Sequence, residues 1–153
     1  MDTIEQKQAD LGHRFEQHTP ARTFQRILIA VDIAYVSGHR PHDEYGRLVS
    51  VGRAGREVRM AEAYEAARLV AVYCLTSLKA ALGQPDRIEE VANVLGFVNS
   101  ADDFHYHPGV LDGFTPLLIE VLGTIGGHAR SAIGTSIPPN NQPVEVEMLV
   151  RIR

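Results

Sequence analysis

The strand-like segment VEVEMLVRI, from Val144 to Ile152, alternates apolar and polar side chains with the period of a β-strand. The apolar positions, which share one side of an extended strand, are Val144, Val146, Met148, Val150 and Ile152. The opposite side carries Glu145, Glu147, Leu149 and Arg151. Such a strand belongs in a sheet that packs one face against a core. The other face, which bears a leucine among charges, is expected to be solvated or to meet another subunit.

The composition is that of a globular domain. A length of 153 residues predicts one domain that buries its own core. Hydrophobic residues make up 44% of the chain, and its net charge of -4 gives no general attraction to nucleic acid or anionic membranes. The single cysteine, Cys74, excludes an intramolecular disulfide. With no signal-peptide pattern and no apolar run approaching about 20 residues, the protein is predicted to be cytoplasmic.

The first residues differ in pattern from the rest of the chain. Residues 1–20 are predicted to form a helical extension ahead of a domain over residues 21–153. In this polar segment Ile4, Leu11 and Phe15 are spaced seven and four residues apart, which is typical of a short amphipathic helix. Such a helix would lie on the domain or on a partner subunit.

Three strands are predicted before the first long helix. The segment FQRILIAVDIAYVSG, which begins at Phe24, is rich in strand-forming residues on both sides of Val31 and Asp32. Those two residues are expected to form a hairpin turn. A third short strand is predicted for RLVSV, from Arg47 to Val51.

The remaining segments alternate between helix and strand. MAEAYEAARLVAVYCLTSLKAALG has apolar residues at helical spacing, and Gly83 and Pro85 end it. RIEEVANVLGFVNS is rich in strand formers from Val91, and apolar residues from Val110 recur at helical intervals as far as Gly123. Two strands joined by a Pro-Pro-Asn-Asn turn follow. This order predicts an α+β domain with helices packed on one face of a mixed sheet.

Several motifs resemble those of one protein family. They are AYVSGHRP (residues 34–41), the helix AYEAARLVAVYCLTSLKAALG, VLGFVNSADDF (residues 94–104), HARSAIG and VEVEMLVRI. Together they resemble the RidA/YjgF family, also labelled L-PSP endoribonuclease or translation initiation inhibitor. The wording GFVNS and GGHARSA is similar to a longer branch of that family. The resemblance implies a fold like that of the small trimeric chorismate mutases, assembled as a homotrimer with clefts between subunits.

The resemblance also implies an activity and a site. Members similar to RidA hydrolyse reactive enamines and imines, such as 2-aminoacrylate, to 2-keto acids and ammonia without a metal or organic cofactor. Substrate-binding positions are implied at Phe24, Ser37, Gly38, Arg130 and Ser131. Arg130 would grip the substrate carboxylate, for which its planar fork of donors is suited, and Glu145 would manage the water. The catalytic pair would thus be Arg130 and Glu145.

This chemistry sets geometric expectations for the catalytic pair. Arg130 and Glu145 should face one cleft, about 10 Å apart or less, brought together by strand pairing or by a subunit interface. Burial should raise the pKa of Glu145, and the nearby Arg130 should limit that rise.

Three positions depart from the RidA pattern. Phe24, thirteen residues before Ser37, stands where those enzymes have a tyrosine, so its hydroxyl is missing. Ala132 stands where they often have a cysteine, and His39 with Arg40 adds positive charge beside the cleft. These departures keep a second hypothesis open, a trimeric protein that binds a small carboxylate ligand without turnover. An RNA-cleaving enzyme is a third, which the acidic balance argues against.

Other polar residues are interpreted without a catalytic role. The pairs His39 with His42 and His105 with His107 show no third ligand at a supporting spacing, so no metal site is predicted. Cys74 lies on an apolar helix stripe and is expected to be a core residue. Asp112 is interpreted as a helix cap outside the site. The basic residues Arg47, Arg53, Arg56 and Arg59 are predicted to form a solvated loop, and they alone support the endoribonuclease label.

Overall fold

A computed structural model of the protein describes residues 6, 7, 10 and 23–153. The strands in this part of the chain are β1 (Ile27–Ala30), β2 (Ile33–His39), β3 (Ile88–Asn99), β4 (Ala129–Thr135) and β5 (Val144–Ile152). The α-helices are α1 (Met60–Leu82), α2 (His107–Leu111) and α3 (Phe114–Leu122). Short 3₁₀ helices cover Pro85–Arg87, Gly123–Gly126 and Pro139–Asn141. The predicted N-terminal helical extension lies outside the described residues apart from three positions, and its boundary stays a prediction.

The five strands form one mixed sheet in the order β1-β2-β5-β3-β4. β3 and β4 are parallel, while the other neighbouring pairs are antiparallel. The helices cover one face, and on β5 the buried residues alternate as the sequence predicted. The α+β class, the mixed sheet and the one-sided packing are confirmed. The two closing strands are not paired with each other, because β3 lies between them.

The first hairpin is confirmed, but the third predicted strand is wrong. β1 and β2 pair around a turn in which Val31 adopts a positive φ of 57°. Residues 47–51 form a loop, in which Leu48 makes an isolated β-bridge with His42. The Asp43 carboxylate accepts hydrogen bonds from the backbone and side chain of Arg47. This local network holds the segment in a turn despite its apolar residues.

The long helix α1 begins and ends with recognisable local interactions. Glu62 accepts a hydrogen bond from the backbone N–H of Arg59 at 2.8 Å, which satisfies a donor at the helix start. Gly83 ends the helix at φ 73° and donates to the carbonyl of Lys79. The helix buries its apolar face against the sheet, and Cys74 is fully buried within it, as predicted.

The second predicted helix is divided into α2 and α3 at Gly113. A Cβ at Gly113 would lie 2.0 Å from the carbonyl oxygen of Tyr64, so this junction packs directly on the backbone of α1. Pro116 lies in the first turn of α3, where proline is tolerated. The window His107–Gly126 is long and apolar enough by composition to cross a membrane, contrary to the expectation from sequence. Most of it is buried inside the fold, where it supplies core helices.

Candidate functional site

The Glu145 carboxylate is held against the backbone at Gly38. A Cβ at Gly38 would lie 2.0 Å from Oε1 of Glu145, so only glycine leaves room for the carboxylate there. On its other side, Gln142 donates a hydrogen bond from Nε2 to Oε2 at 2.5 Å. Gln142 is only 1% exposed, so this donor has little freedom to move. The structure therefore brings together the predicted positions Gly38 and Glu145, and it adds Gln142, which sequence reasoning missed.

The surroundings of Glu145 alter its acidity. Burial raises the pKa of this carboxyl above its ordinary value, while the hydrogen bond from Gln142 and the positive charge of Arg40 lower it. The predicted direction is therefore confirmed, but the nearby cation is Arg40 instead of Arg130. A carboxylate with a raised pKa is a better proton acceptor than a fully solvated one.

Ser37 and His39 fix the end of β2, which carries Gly38. Ser37 donates from Oγ to the carbonyl of Gln25 at 2.7 Å. The carbonyl of Ser37 lies 2.6 Å from Nδ1 of His39, whose Nε2 lies 2.7 Å from Oγ of Ser77 in α1. Because His39 is buried, it ties the end of β2 to the long helix and so fixes the backbone that faces Glu145.

Arg130 lies elsewhere, on the helix side of β4. Its Nη1 donates to Oδ1 of Asp112 and to Oγ1 of Thr115, both at 3.0 Å. Asp112 follows α2 and Thr115 lies in the first turn of α3, so the break at Gly113 places both beside the arginine. The interpretation of Asp112 as a helix cap outside the site was therefore incomplete. The sequence signal was the short DGFT segment, in which a glycine interrupts an apolar helical pattern.

Within one subunit, Arg130 and Glu145 do not share a cleft. Arg130 is paired in register with Val94, which is fully buried on the helix side of the sheet. Glu145 alternates with the buried Val144 and Val146 and so points to the opposite face. The expectation that strand pairing brings the two together is wrong, because β3 separates their strands and places their side chains on opposite faces. The alternative of a subunit interface stays a prediction.

The open face of the sheet contains a cavity of about 560 Å³. Its apolar lining includes Leu28, Tyr35, Leu95 and Leu149, and Ser37 also contributes. Ser131 is paired in register with Leu95 and so belongs to this face. The predicted positions Ser37, Gly38, Ser131 and Glu145 are thus on the open side of the sheet. Phe24 precedes β1 and is 56% exposed.

The histidine pairs are separated by their contacts. His42 stacks on Tyr73 with ring centroids 3.8 Å apart, while His39 is engaged with Ser77. Nε2 of His107 lies 3.0 Å from Oγ of Ser100. In the described part of the chain, no group of three or more His, Cys, Asp or Glu side chains is arranged to hold a metal ion.

The basic loop is paired with acidic side chains. Its ion pairs are Arg47 with Asp43, Arg53 with Asp102, Arg56 with Glu57 and Arg59 with Glu62. Each pair has at least one exposed side chain, as expected of a solvated loop, and each arginine has a carboxylate within 4.0 Å. The loop therefore does not present a run of unneutralised cations to a phosphate backbone.

The fold, together with the motifs HARSAIG and VEVEMLVRI, defines a class of small α+β proteins related to chorismate mutase. Residues 24–151 match the family model described as "YjgF/chorismate_mutase-like, putative endoribonuclease". The chain belongs to this family. Its fold is the YjgF chorismate-mutase-like fold.

Proteins from several organisms are similar to this chain. Protein TCP17 of Trypanosoma cruzi is 34% identical over 134 residues, which cover 87% of this chain and 83% of that protein. Atu1372 from Agrobacterium tumefaciens, a protein of unknown function, has a crystal structure that matches with a TM-score of 0.90 and 37% sequence identity. The match covers 99% of this chain and 94% of Atu1372. A Shewanella oneidensis structure described as a putative endoribonuclease is 26% identical with a TM-score of 0.91, covering 99% of this chain and 100% of its own.

Proposed function

We propose that the protein is a cytoplasmic hydrolase that deaminates reactive enamines and imines of the 2-aminoacrylate type. The observation that carries the proposal is the Glu145 carboxylate, which lies between Gly38 and Gln142 with a raised pKa. A half-buried carboxylate of this kind is suited to accept a proton from an attacking water. Membership of the YjgF family, whose RidA-like members have this activity, adds support.

The proposed site requires two subunits. Because Arg130 and Glu145 lie on opposite faces of one sheet, a small substrate can contact both only if they come from different copies of the chain. The open face supports self-association, since Leu28 and Tyr35 remain about half exposed beside the cavity. Exposed apolar patches of this kind commonly mark interaction surfaces. We therefore propose a homotrimer in which β4 of one subunit lies near Glu145 of the next.

The proposed reaction is a hydrolysis that needs one water. The enamine CH₂=C(NH₂)COO⁻ gains a proton at its methylene carbon and loses one from nitrogen, which gives the imine CH₃C(=NH)COO⁻. Water held by Glu145 attacks the imine carbon, and its proton passes through the carboxylate to the nitrogen. The resulting carbinolamine loses ammonia as the carbonyl forms, which gives pyruvate. Arg130 holds the substrate carboxylate throughout, and no metal or organic cofactor enters the reaction.

A second candidate is a carboxylate-binding protein without turnover. Phe24 favours it, because the ring lacks the hydroxyl that RidA-like enzymes carry at this position. In this case Arg130 would retain its role, and Glu145 would be a polar wall of the ligand site. RNA cleavage is less favoured, since each arginine of the basic loop faces a carboxylate.

The experiment measures imine loss with and without the protein. 2-Aminoacrylate is generated by an amino-acid dehydratase, and its decay and the appearance of pyruvate are followed. We expect wild type to accelerate pyruvate formation, Glu145→Gln to abolish the acceleration and Arg130→Ala to raise KM strongly. Arg130→Lys serves as the matched control, because it keeps the charge without the two-pronged fork.

Each outcome separates the candidates. Equal rates for wild type and Arg130→Ala would refute the deaminase proposal for this substrate. If Glu145→Gln still binds pyruvate and neither wild type nor this variant shows turnover, the second candidate, a carboxylate-binding protein, is favoured.

A further inference from the structure

The partners of Arg130 extend into a chain of hydrogen bonds. Nε2 of His128 lies 3.1 Å from Oγ1 of Thr115, and Nδ1 of His128 lies 2.7 Å from the carbonyl oxygen of Gly126. The same Thr115 hydroxyl accepts from Nη1 of Arg130 at 3.0 Å. The hydrogen bonds thereby join four groups in one line: the carbonyl of Gly126 in the 3₁₀ helix after α3, His128 just before β4, Thr115 in the first turn of α3, and Arg130 in β4.

The chemistry of these groups determines the direction of each hydrogen bond. A carbonyl only accepts, so Nδ1 of His128 carries the hydrogen that is donated to Gly126. Arg130 only donates, so Thr115 accepts from it and has its own hydroxyl hydrogen free to donate. Nε2 of a neutral His128 is the acceptor for that hydrogen. Burial and the neighbouring Arg130 lower the pKa of His128, which favours this neutral form.

These hydrogen bonds leave one edge of the Arg130 guanidinium available. Nη1 of Arg130 carries two hydrogens, and Asp112 and Thr115 accept both. Among the described residues, no side chain accepts from its Nε or Nη2, although 23% of the arginine side chain is exposed. Nε and Nη2 together form the edge that binds a carboxylate with two parallel hydrogen bonds.

Two acceptors on one nitrogen also fix the plane of the group. Asp112 alone would leave the guanidinium free to turn about a single contact. Thr115 supplies the second contact from a helix, and His128 fixes the hydroxyl rotamer because it accepts the hydroxyl hydrogen. The charged groups in this network are Arg130 and Asp112. Arg130 lies two residues after His128, and Asp112 lies at the end of α2.

We infer that Thr115 and His128 are positioning residues that hold Arg130 with its Nε and Nη2 edge turned toward the carboxylate of the ligand. The inference rests on the proposed function, in which Arg130 binds that carboxylate. It assigns substrate orientation to residues that touch no substrate themselves. Loss of either residue should weaken binding more than it slows the chemical step.

The experiment measures pyruvate affinity by calorimetry and the KM and kcat for 2-aminoacrylate. Thr115→Val keeps the branched shape but removes the hydroxyl, and we expect it to raise Kd and KM about three- to ten-fold with little change in kcat. Thr115→Ser restores the hydroxyl and should recover most of the affinity. His128→Phe keeps a ring without nitrogen and should act in the same direction as Thr115→Val. Thr124→Val, at an exposed position, is the matched control.

A double-mutant cycle distinguishes positioning from a structural role. In an Arg130→Lys background, Thr115→Val should change Kd less than about two-fold, because its effect acts through the guanidinium. An equal effect in both backgrounds would overturn the inference, as would wild-type affinity in both Thr115→Val and His128→Phe. If those variants bind normally while Arg130→Ala does not, the proposed function survives without the inference. If Arg130→Ala itself binds pyruvate normally, both fail.

Discussion

Gly38 and Glu145 are in direct contact across neighbouring strands, with no space between them for a side chain. A Cβ at Gly38 would lie 2.0 Å from Oε1 and 2.9 Å from the carboxyl carbon of Glu145. The clash would involve the far end of a flexible side chain, which can move away at little cost to the fold. The glycine therefore determines where the carboxylate lies more than whether the domain folds.

Gly38→Ala should impair turnover without unfolding the protein. The new methyl group displaces the Glu145 carboxylate, so we expect kcat for 2-aminoacrylate to fall about ten-fold or more. The free energy of unfolding should change by less than about 1 kcal/mol. Rate assays and thermal unfolding measure the two effects. A Gly38→Ala variant with the wild-type kcat would contradict this explanation.

Gln142→Met should shift the pH dependence of the reaction. The hydrogen bond from Gln142 lowers the pKa of Glu145, so its removal raises that pKa further. Because Glu145 accepts a proton only when ionised, activity is lost as pH falls through its pKa. The acid limb of the kcat/KM profile should therefore move to higher pH, with recovery at alkaline pH. Gln84→Met, at an exposed position, is the control and should leave the profile in place.

Gly113→Ala should destabilise the fold. Its Cβ would lie 2.0 Å from the backbone carbonyl oxygen of Tyr64, an atom that cannot move without bending α1. We expect a loss of about 2 kcal/mol or more in the free energy of unfolding, measured by urea denaturation. Gly83→Ala has open space around its Cβ but a φ of 73°, so it should cost only about 1 kcal/mol. Equal costs for the two variants would contradict the steric argument.

Leu28→Glu should prevent self-association through the open face. Leu28 is 50% exposed and lines the cavity on that face, so a charge there would be buried without a partner in an assembled trimer. Light scattering should give a smaller mass than that of wild type, together with loss of turnover. Ile119→Glu, at a position on α3 that is 47% exposed, is the matched control. If Leu28→Glu keeps the wild-type mass, this face is not the interface.

Local patterns predicted the individual elements better than their arrangement. The alternation along β5 and the glycine that ends α1 are local signals, and the structure confirms both. The segment Arg47 to Val51 has a strand-like composition, but hydrogen bonds to the Asp43 carboxylate hold it in a turn. The sheet order depends on contacts between distant residues, which a single sequence does not display.

In the candidate site too, individual residues were predicted better than their arrangement. The family motifs selected Glu145, and the expectation that burial raises its pKa agrees with the structure in direction. Within one subunit the cation near it is Arg40 and not Arg130, because β3 lies between the two closing strands. Approach of Arg130 across a subunit interface stays a prediction. Asp112 and Thr115 contact Arg130 from 18 and 15 residues away in the sequence. Their role follows from the break at Gly113, which brings both to the edge of the sheet.

The central place of β5 has a consequence for how the chain folds during its synthesis. β5 follows every other described element but pairs with both β2 and β3 in the middle of the sheet. A nascent chain that ends before Val144 therefore has two separate half-sheets, each with an unpaired apolar edge. The five-stranded sheet can be completed only after this segment has emerged from the ribosome, and truncation before it leaves the two halves unjoined.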